Sequence, residues 1–171
     1  VTTDILYTPW RMKYIASKEK MDGCVFCSAL DDEVENDPDN YLLFRGESTF
    51  AVMNIYPYNP GHIMVLPRQH ASHPADLPAQ VHIELTLLTT YFVDLLTTLM
   101  QPDGFNIGTN IGRAAGAGIA DHLHTHIVPR WSGDANFMTV VGDTRVLPQT
   151  LGETYDKIMA LLKKQPPDLK S

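Results

Sequence analysis

Three histidines alternate in the run Asp121-His122-Leu123-His124-Thr125-His126-Ile127-Val128-Pro129-Arg130-Trp131, and two cysteines are paired in Cys24-Val25-Phe26-Cys27. On an extended strand side chains alternate with period two. His122, His124 and His126 would therefore share one face, about 6–7 Å apart, with Leu123, Thr125 and Ile127 on the other. Packing explains this poorly, because imidazole adds little to a core and both ring nitrogens need partners. Two chemistries can use it. One is a three-histidine metal site, although flanking carboxylate ligands and the spaced motifs of metallohydrolases are missing. The other is covalent catalysis: a neutral imidazole with one nitrogen held as donor turns the lone pair of the other on an electrophile, and a second histidine on the same face protonates the leaving group. The cysteines allow three readings: buried small hydrophobes, a redox pair, or half of a zinc site. A redox pair needs a helix N-terminus following a strand, which nothing upstream supplies. Structural zinc needs two more ligands, and Leu66-Pro67-Arg68-Gln69-His70-Ala71-Ser72-His73 offers two candidates where a strand ends.

These residues must be positioned by a chain of 171 residues with a formal charge of −7 and a pI near 5.4. That length suits one domain and falls well short of the roughly 250 residues of an eight-stranded α/β barrel. With 44% hydrophobic and 19% charged residues the chain has material for a core. The acidic balance argues against coating nucleic acid or an anionic membrane through bulk charge, yet a small anion responds to local dipoles and stays compatible. Two cysteines do not make a disulfide framework, no run of about 18 apolar residues stands out, and Val1 to Tyr14 lacks a signal-peptide core. The expectation is a soluble cytoplasmic protein.

Periodicity and turn residues predict strands over 41–44, 49–55 and 62–66 and a long helix from Pro78 to Met100 stopped by Pro102-Asp103-Gly104. Strands over 105–111 and 122–128 follow, joined by the loop 112–121, and then a helix over 151–164. Residues 1–40 read as an N-terminal arm carrying the Cys-x-x-Cys, its first thirty residues irregular and its acidic run Asp31 to Asn40 a solvated loop or a frayed helix. Residues 41–147 read as the catalytic domain and 148–171 as a C-terminal helix and tail. The expected class is α+β, a mainly antiparallel sheet with helices on one face.

His122-Leu-His124-Thr-His126-Ile-Val resembles the His-φ-His-φ-His-φ-φ signature of the histidine triad superfamily of nucleotide hydrolases and transferases, and the likeness spans roughly Cys24 to Trp131. Gly116 to Asp121 before the triad, Pro129 to Phe137 after it and the opening Tyr7-Thr8-Pro9-Trp10-Arg11-Met12 are most similar to the bacterial branch that includes diadenosine tetraphosphate phosphorylases. The resemblance implies that His124 attacks an α-phosphorus to form a nucleotidyl-histidine and that His126 bonds the phosphate or bridging oxygen and supplies a proton. It further implies that Asn110 and the amides of Gly116, Ala117 and Gly118 meet the phosphate, that Asn54 and Ile55, with Tyr56, grip the nucleoside, and that Trp131 is on the substrate side. Asn54 and Asn110 are equally explained as turn or strand-end residues. Arg68, Arg113 and Arg130 are candidates to stabilise phosphate, although a plain surface cation is the readier reading of each. Gly118 and Ile119 stand where the family usually has Gln followed by Ser or Thr, a departure that points to phosphorolysis rather than phosphoramidate hydrolysis. The resemblance also implies structural Zn2+ held by Cys24, Cys27, His70 and His122, with His73 as rival for the third place. A homodimer formed through the long helix and strand 105–111 is implied as well. The expected substrates are a dinucleoside polyphosphate and inorganic phosphate. The alternatives are a hydrolase, in which water takes the second step, and a nucleotide-binding protein with little chemistry.

Overall fold

The segments Thr49–Met53 and Ile63–Pro67 are apolar apart from Thr49 and buried along their whole length, and strands of that kind need cover on both faces. The computed structural model describes residues 23–134 and 149–169. Five strands, β1 (Leu42–Arg45), β2 (Thr49–Met53), β3 (Ile63–Pro67), β4 (Gly104–Thr109) and β5 (Thr125–Arg130), form one sheet in the order β1-β2-β3-β5-β4. Every neighbouring pair is antiparallel. Three helices cover it: α1 (Val25–Asp31), α2 (Ala79–Met100) and α3 (Leu151–Leu162).

Alternation along the strands divides the core. Ala51, Met53, Ile63, Val65 and Ile127 point to one face, where they pack against Leu88, Phe92 and Leu96 of α2 and Ile158 of α3. Phe50, Val52, Met64 and Leu66 point to the other, against Phe26 and Leu30 of α1. The expectation of helices on one face is thus corrected: α1 is a short lid on the opposite face, over β1 to β3. Among the described residues no helix packs on β5 and β4 from this side.

Local signals set the helix ends. Gln101 adopts a left-handed conformation (φ 48°) at the end of α2, and Pro102 prevents continuation. Thr150 and Glu153 form a reciprocal capping box on α3, whose Tyr155 hydroxyl donates to the Leu42 carbonyl at 3.0 Å. α2 is long and apolar enough to cross a membrane by length and composition, a candidate that a search for unbroken apolar runs misses, and its apolar stripe packs on the sheet. Its buried Glu84 accepts from Ser48 N–H, Thr49 N–H and the Thr49 hydroxyl, closing the β1–β2 turn.

Several boundaries differ from expectation. The last strand begins at Thr125 rather than His122, and β4 ends at Thr109 rather than Ile111. The arm is not irregular throughout, since Val25–Asp31 is helical. Nor is the acidic run simply solvated: Arg45 pairs with Asp37 at 2.6 Å and donates to the carbonyls of Leu30 and Asp32, tying the end of α1 to β1. Tyr7 to Met12 and the stretch after Asp134 that contains Phe137 lie outside the described residues.

Candidate active site

The approach to β5 is pinned where Leu123 N–H donates to the Ala71 carbonyl at 2.7 Å, across from the end of β3. This brings all three histidines to the α1 side of the sheet, although two of them precede the strand ladder. The His122 and His124 rings both contact Phe26, at centroid distances of 5.6 and 5.5 Å, and His124 meets His126 edge-on at 4.9 Å.

Each imidazole has a defined tautomer, which follows from its partners. His124, 5% exposed, holds its Nδ1 2.8 Å from the carbonyl oxygen of His122. A carbonyl only accepts, so Nδ1 carries the proton and Nε2 keeps a free lone pair. His126 is fixed through a second ring. His62 Nδ1 accepts from Tyr58 N–H at 3.1 Å and stands 3.3 Å from the Asn54 amide. His62 Nε2 therefore carries the proton, which it donates to His126 Nδ1 at 2.9 Å. His126 is left with its proton on Nε2, beside the His124 ring. Burial, reinforced by the neighbouring imidazoles, pushes His62 down to about 3, and burial and His124 push His126 down to about 4. Both rings are neutral near pH 7. The site is a lone pair next to a neutral N–H donor.

The outer histidine faces away from this pair. His122, 1% exposed, donates Nε2–H to the Pro67 carbonyl at 2.9 Å, and its Nδ1 is 3.3 Å from Cys24 Sγ and 3.6 Å from Cys27 Sγ. His70 Nδ1 is 3.4 Å from Cys27 Sγ, and one ligand atom from each of the four residues lies within 4.8 Å of the other three. Tetrahedral zinc with Zn–S about 2.3 Å and Zn–N about 2.0–2.1 Å requires S···N separations of about 3.6 Å. The donor set fits, and the Pro67 carbonyl is the outer partner that orients a ligating imidazole. Cys24, Cys27, His70 and His122 could therefore hold a metal ion. The rival His73 is engaged elsewhere, its Nδ1 accepting from Ala75 N–H at the start of a 3-10 turn. Cys24 does cap α1, the helix start that a redox pair would want. Burial and the adjacent Cys24 nevertheless push the Cys27 thiol up to about 11, opposite to the depression of a reactive thiol.

A cleft of about 280 Å³ opens along β4 and β5, with His126, Asn110, Asn106, Gly108, Val128 and Arg130 in its wall. Gly116, in a left-handed conformation (φ 91°), lies next to the Asn110 amide, so the glycine loop and Asn110 are together at one end. Ala117 is buried and Gly118 exposed. Asn54 has a local job: its carbonyl accepts from Tyr56 N–H at 2.9 Å while its amide reaches His62. Ile55 is exposed beside it. Trp131 lines a second cavity of about 560 Å³ with Leu99, Met100 and Lys157, past the end of β5 rather than in the cleft beside His126. Arg68 donates to the Gly46 carbonyl far along the sheet, and Arg113 is exposed in the loop 112–121.

The residue that sequence reasoning missed is His62. The available signal was a histidine opening an otherwise apolar strand; its meaning depends on the β3–β5 register, in which Ile63 pairs with Ile127 and Met64 with His126.

Residues 35–133 match the family model described as the HIT domain. The chain belongs to the HIT family. This HIT-domain chain is 39% identical over 166 residues to the AP-4-A phosphorylase of Mycobacterium tuberculosis (strain ATCC 25618 / H37Rv), covering 94% of this chain and 85% of that protein. Among solved structures it is similar to a Zn-bound histidine triad family protein from Mycobacterium smegmatis, with TM-score 0.65, 26% identity and coverage of 83% and 94% of the two chains. A histidine triad nucleotide-binding protein from Sulfolobus tokodaii strain7 matches with TM-score 0.64, 28% identity and coverage of 82% and 90%. The α+β fold is that of the family, and the chain is an enzyme of the HIT type, a nucleotide hydrolase or transferase.

Proposed function

We propose that this protein splits dinucleoside polyphosphates, diadenosine tetraphosphate foremost, by two successive displacements at an α-phosphorus. His124 Nε2 bonds to phosphorus as the bond from phosphorus to the bridging oxygen breaks; the neutral His126 Nε2–H donates a hydrogen bond to that oxygen, which departs as an anion. An oxygen of inorganic phosphate then attacks the adenylyl-histidine, and the phosphorus–nitrogen bond breaks with its electron pair returning to His124 Nε2. ADP and ATP leave. The observation that carries this reading is the pair of fixed tautomers, Nδ1–H of His124 on the His122 carbonyl and the His62–His126 hydrogen bond. Asn110 and the Gly116–Gly118 amides contact the phosphate, Asn54 and Ile55 flank the nucleoside, and the phosphorylase name borne by the mycobacterial relative supports phosphate as acceptor.

Zn2+ is the metal that best suits Cys24, Cys27, His70 and His122, and it supplies a structural crosslink when bound. Free thiols of this kind suit the cytoplasm. β4 is an edge strand with Ile107 50% exposed, and pairing with a second copy through β4 and α2 would cover it. Product analysis on diadenosine tetraphosphate with and without inorganic phosphate tests the reaction. ADP formed in the presence of phosphate supports phosphorolysis, and AMP formed at the same rate in both conditions assigns the second step to water.

A further inference from the structure

We propose that Arg130 is the residue that holds the polyphosphate leaving group, so that this HIT enzyme selects its substrates by the charge departing from the α-phosphorus. The inference rests on the dinucleoside polyphosphate reading above and deepens it. His126, Val128 and Arg130 alternate on one face of β5, and Asn106 and Gly108 of β4 lie beside them, with Gly108 opposite His126 and Asn106 opposite Val128. Both rows line the same cleft. Between His126 and Arg130 the cleft wall carries Val128 with Asn106 opposite it, and at Gly108, opposite His126, a Cβ would meet nothing within 4 Å. The cleft therefore spans about 13 Å along β5 from His126 to Arg130, at about 3.3 Å per residue.

Among the described residues lining that cleft, Arg130 is the one cation. A polyphosphate departing from His124 carries several negative charges, and His62 and His126 are neutral at pH 7. Arg130 is also held ready. Its Nε and Nη2 donate to the two Asp134 oxygens at 2.6 and 2.9 Å, and Nη1 donates to Asn106 Oδ1 at 2.6 Å. Asp134 is in turn bonded by the buried Asn59 amide at 2.7 Å. Three of the five N–H groups are used, and two remain for phosphate oxygens. With its side chain 45% exposed, the guanidinium can receive an anion without its fork having to be ordered first.

The test compares wild type, Arg130→Gln and Arg130→Lys on two adenylyl donors: diadenosine tetraphosphate, and the p-nitrophenyl ester of AMP, whose leaving group bears no phosphate. Both donors form the same adenylyl-histidine. The expected result is a loss of about 10- to 100-fold in kcat/KM on the tetraphosphate for Arg130→Gln, the size of a charge-assisted hydrogen bond to phosphate. Arg130→Lys should recover part of that loss, and the ester should react as in wild type. The tetraphosphate KM should rise with salt more steeply in wild type than in Arg130→Gln. Equal losses on both donors would reduce Arg130 to a structural tie for Asp134 and overturn the proposal, as would no loss on either. A wild-type enzyme that turns over the ester but not the tetraphosphate overturns the polyphosphate reading itself, which separates the two failures.

Discussion

The two ends of the triad fix their imidazoles by different means. His122 is held by residues remote in sequence: Cys24 and Cys27 on α1, His70 past β3 and the Pro67 carbonyl. His126 is held by one short turn, in which Tyr58 N–H and Asn54 set His62 and His62 sets His126. The first arrangement gathers a donor set that could hold a metal ion. The second is a chain of hydrogen bonds that needs no ion and keeps its rings neutral by burial. His124, between them, takes its orientation from the His122 backbone and has the His126 N–H donor beside it. In the proposed reaction the nucleophile is thus anchored by the long-range side of the fold and given its hydrogen-bond donor by the local side.

Removing the shared centre should have the largest effect. His124→Ala is expected to lower turnover by at least about 10⁴-fold, with the circular dichroism and thermal midpoint of wild type; substantial residual activity would remove the nucleophile from between the two anchors. Breaking the metal side comes next. Cys27→Ser should abolish copurified zinc, expected at about one per chain, and lower the thermal midpoint by several degrees, because a structural zinc contributes folding energy directly. Metal analysis and calorimetry check this, and a zinc-free wild-type protein of full stability would leave His122 to its hydrogen bond alone.

The local side should respond in catalysis more than in stability. His62→Gln is expected to lower kcat about 10- to 100-fold, the size of a charge-assisted hydrogen bond to the leaving oxygen, with little change in KM or zinc content. It should also change the response to acid. His62 and His126 sit below the ordinary histidine value in the folded chain, so the unfolded chain takes up more protons between about pH 6.5 and 3. Their contribution to stability is complete above about 6.5 and is lost as the pH falls through that window. Denaturant titrations at pH 7 and 5 should show a smaller loss in His62→Gln than in wild type. Asn54→Ala should have the smallest effect, a few-fold in kcat, since Tyr58 N–H still holds His62 Nδ1; a loss as large as that of His62→Gln would make the amide the main support of the relay.

Much of this was legible before any fold was drawn. The helix ending at Met100 was marked by its apolar spacing and by Pro102, and the antiparallel strands by turn residues between apolar runs. The four possible metal ligands were named as a set from the resemblance. Other features were not legible. The start of β5 could not be read, because His122 and Leu123 have strand composition and yet bond to Ala71 and Pro67 outside the ladder. The helicity of Val25–Asp31 depends on burying Phe26 and Leu30 against β1 to β3, which no local pattern announces. Trp131, read either as a core or interface aromatic or, by the resemblance, as a substrate-side ring, lines a cavity with Leu99, Met100 and Lys157 that no local pattern announces.

The sequence by itself determined the chemistry at hand: an alternating histidine run, a cysteine pair, and the period-two and helical patterns that make an α+β sheet domain. These are properties of residues a few positions apart. The tertiary structure alone decided which nitrogen of each imidazole carries a proton, that His62 belongs to the site, and that Arg130 and His126 share a cleft. Those outcomes depend on contacts such as His62 with His126, 64 positions apart. A tautomer is set by the partner across the fold, and the spacing along the chain cannot specify it.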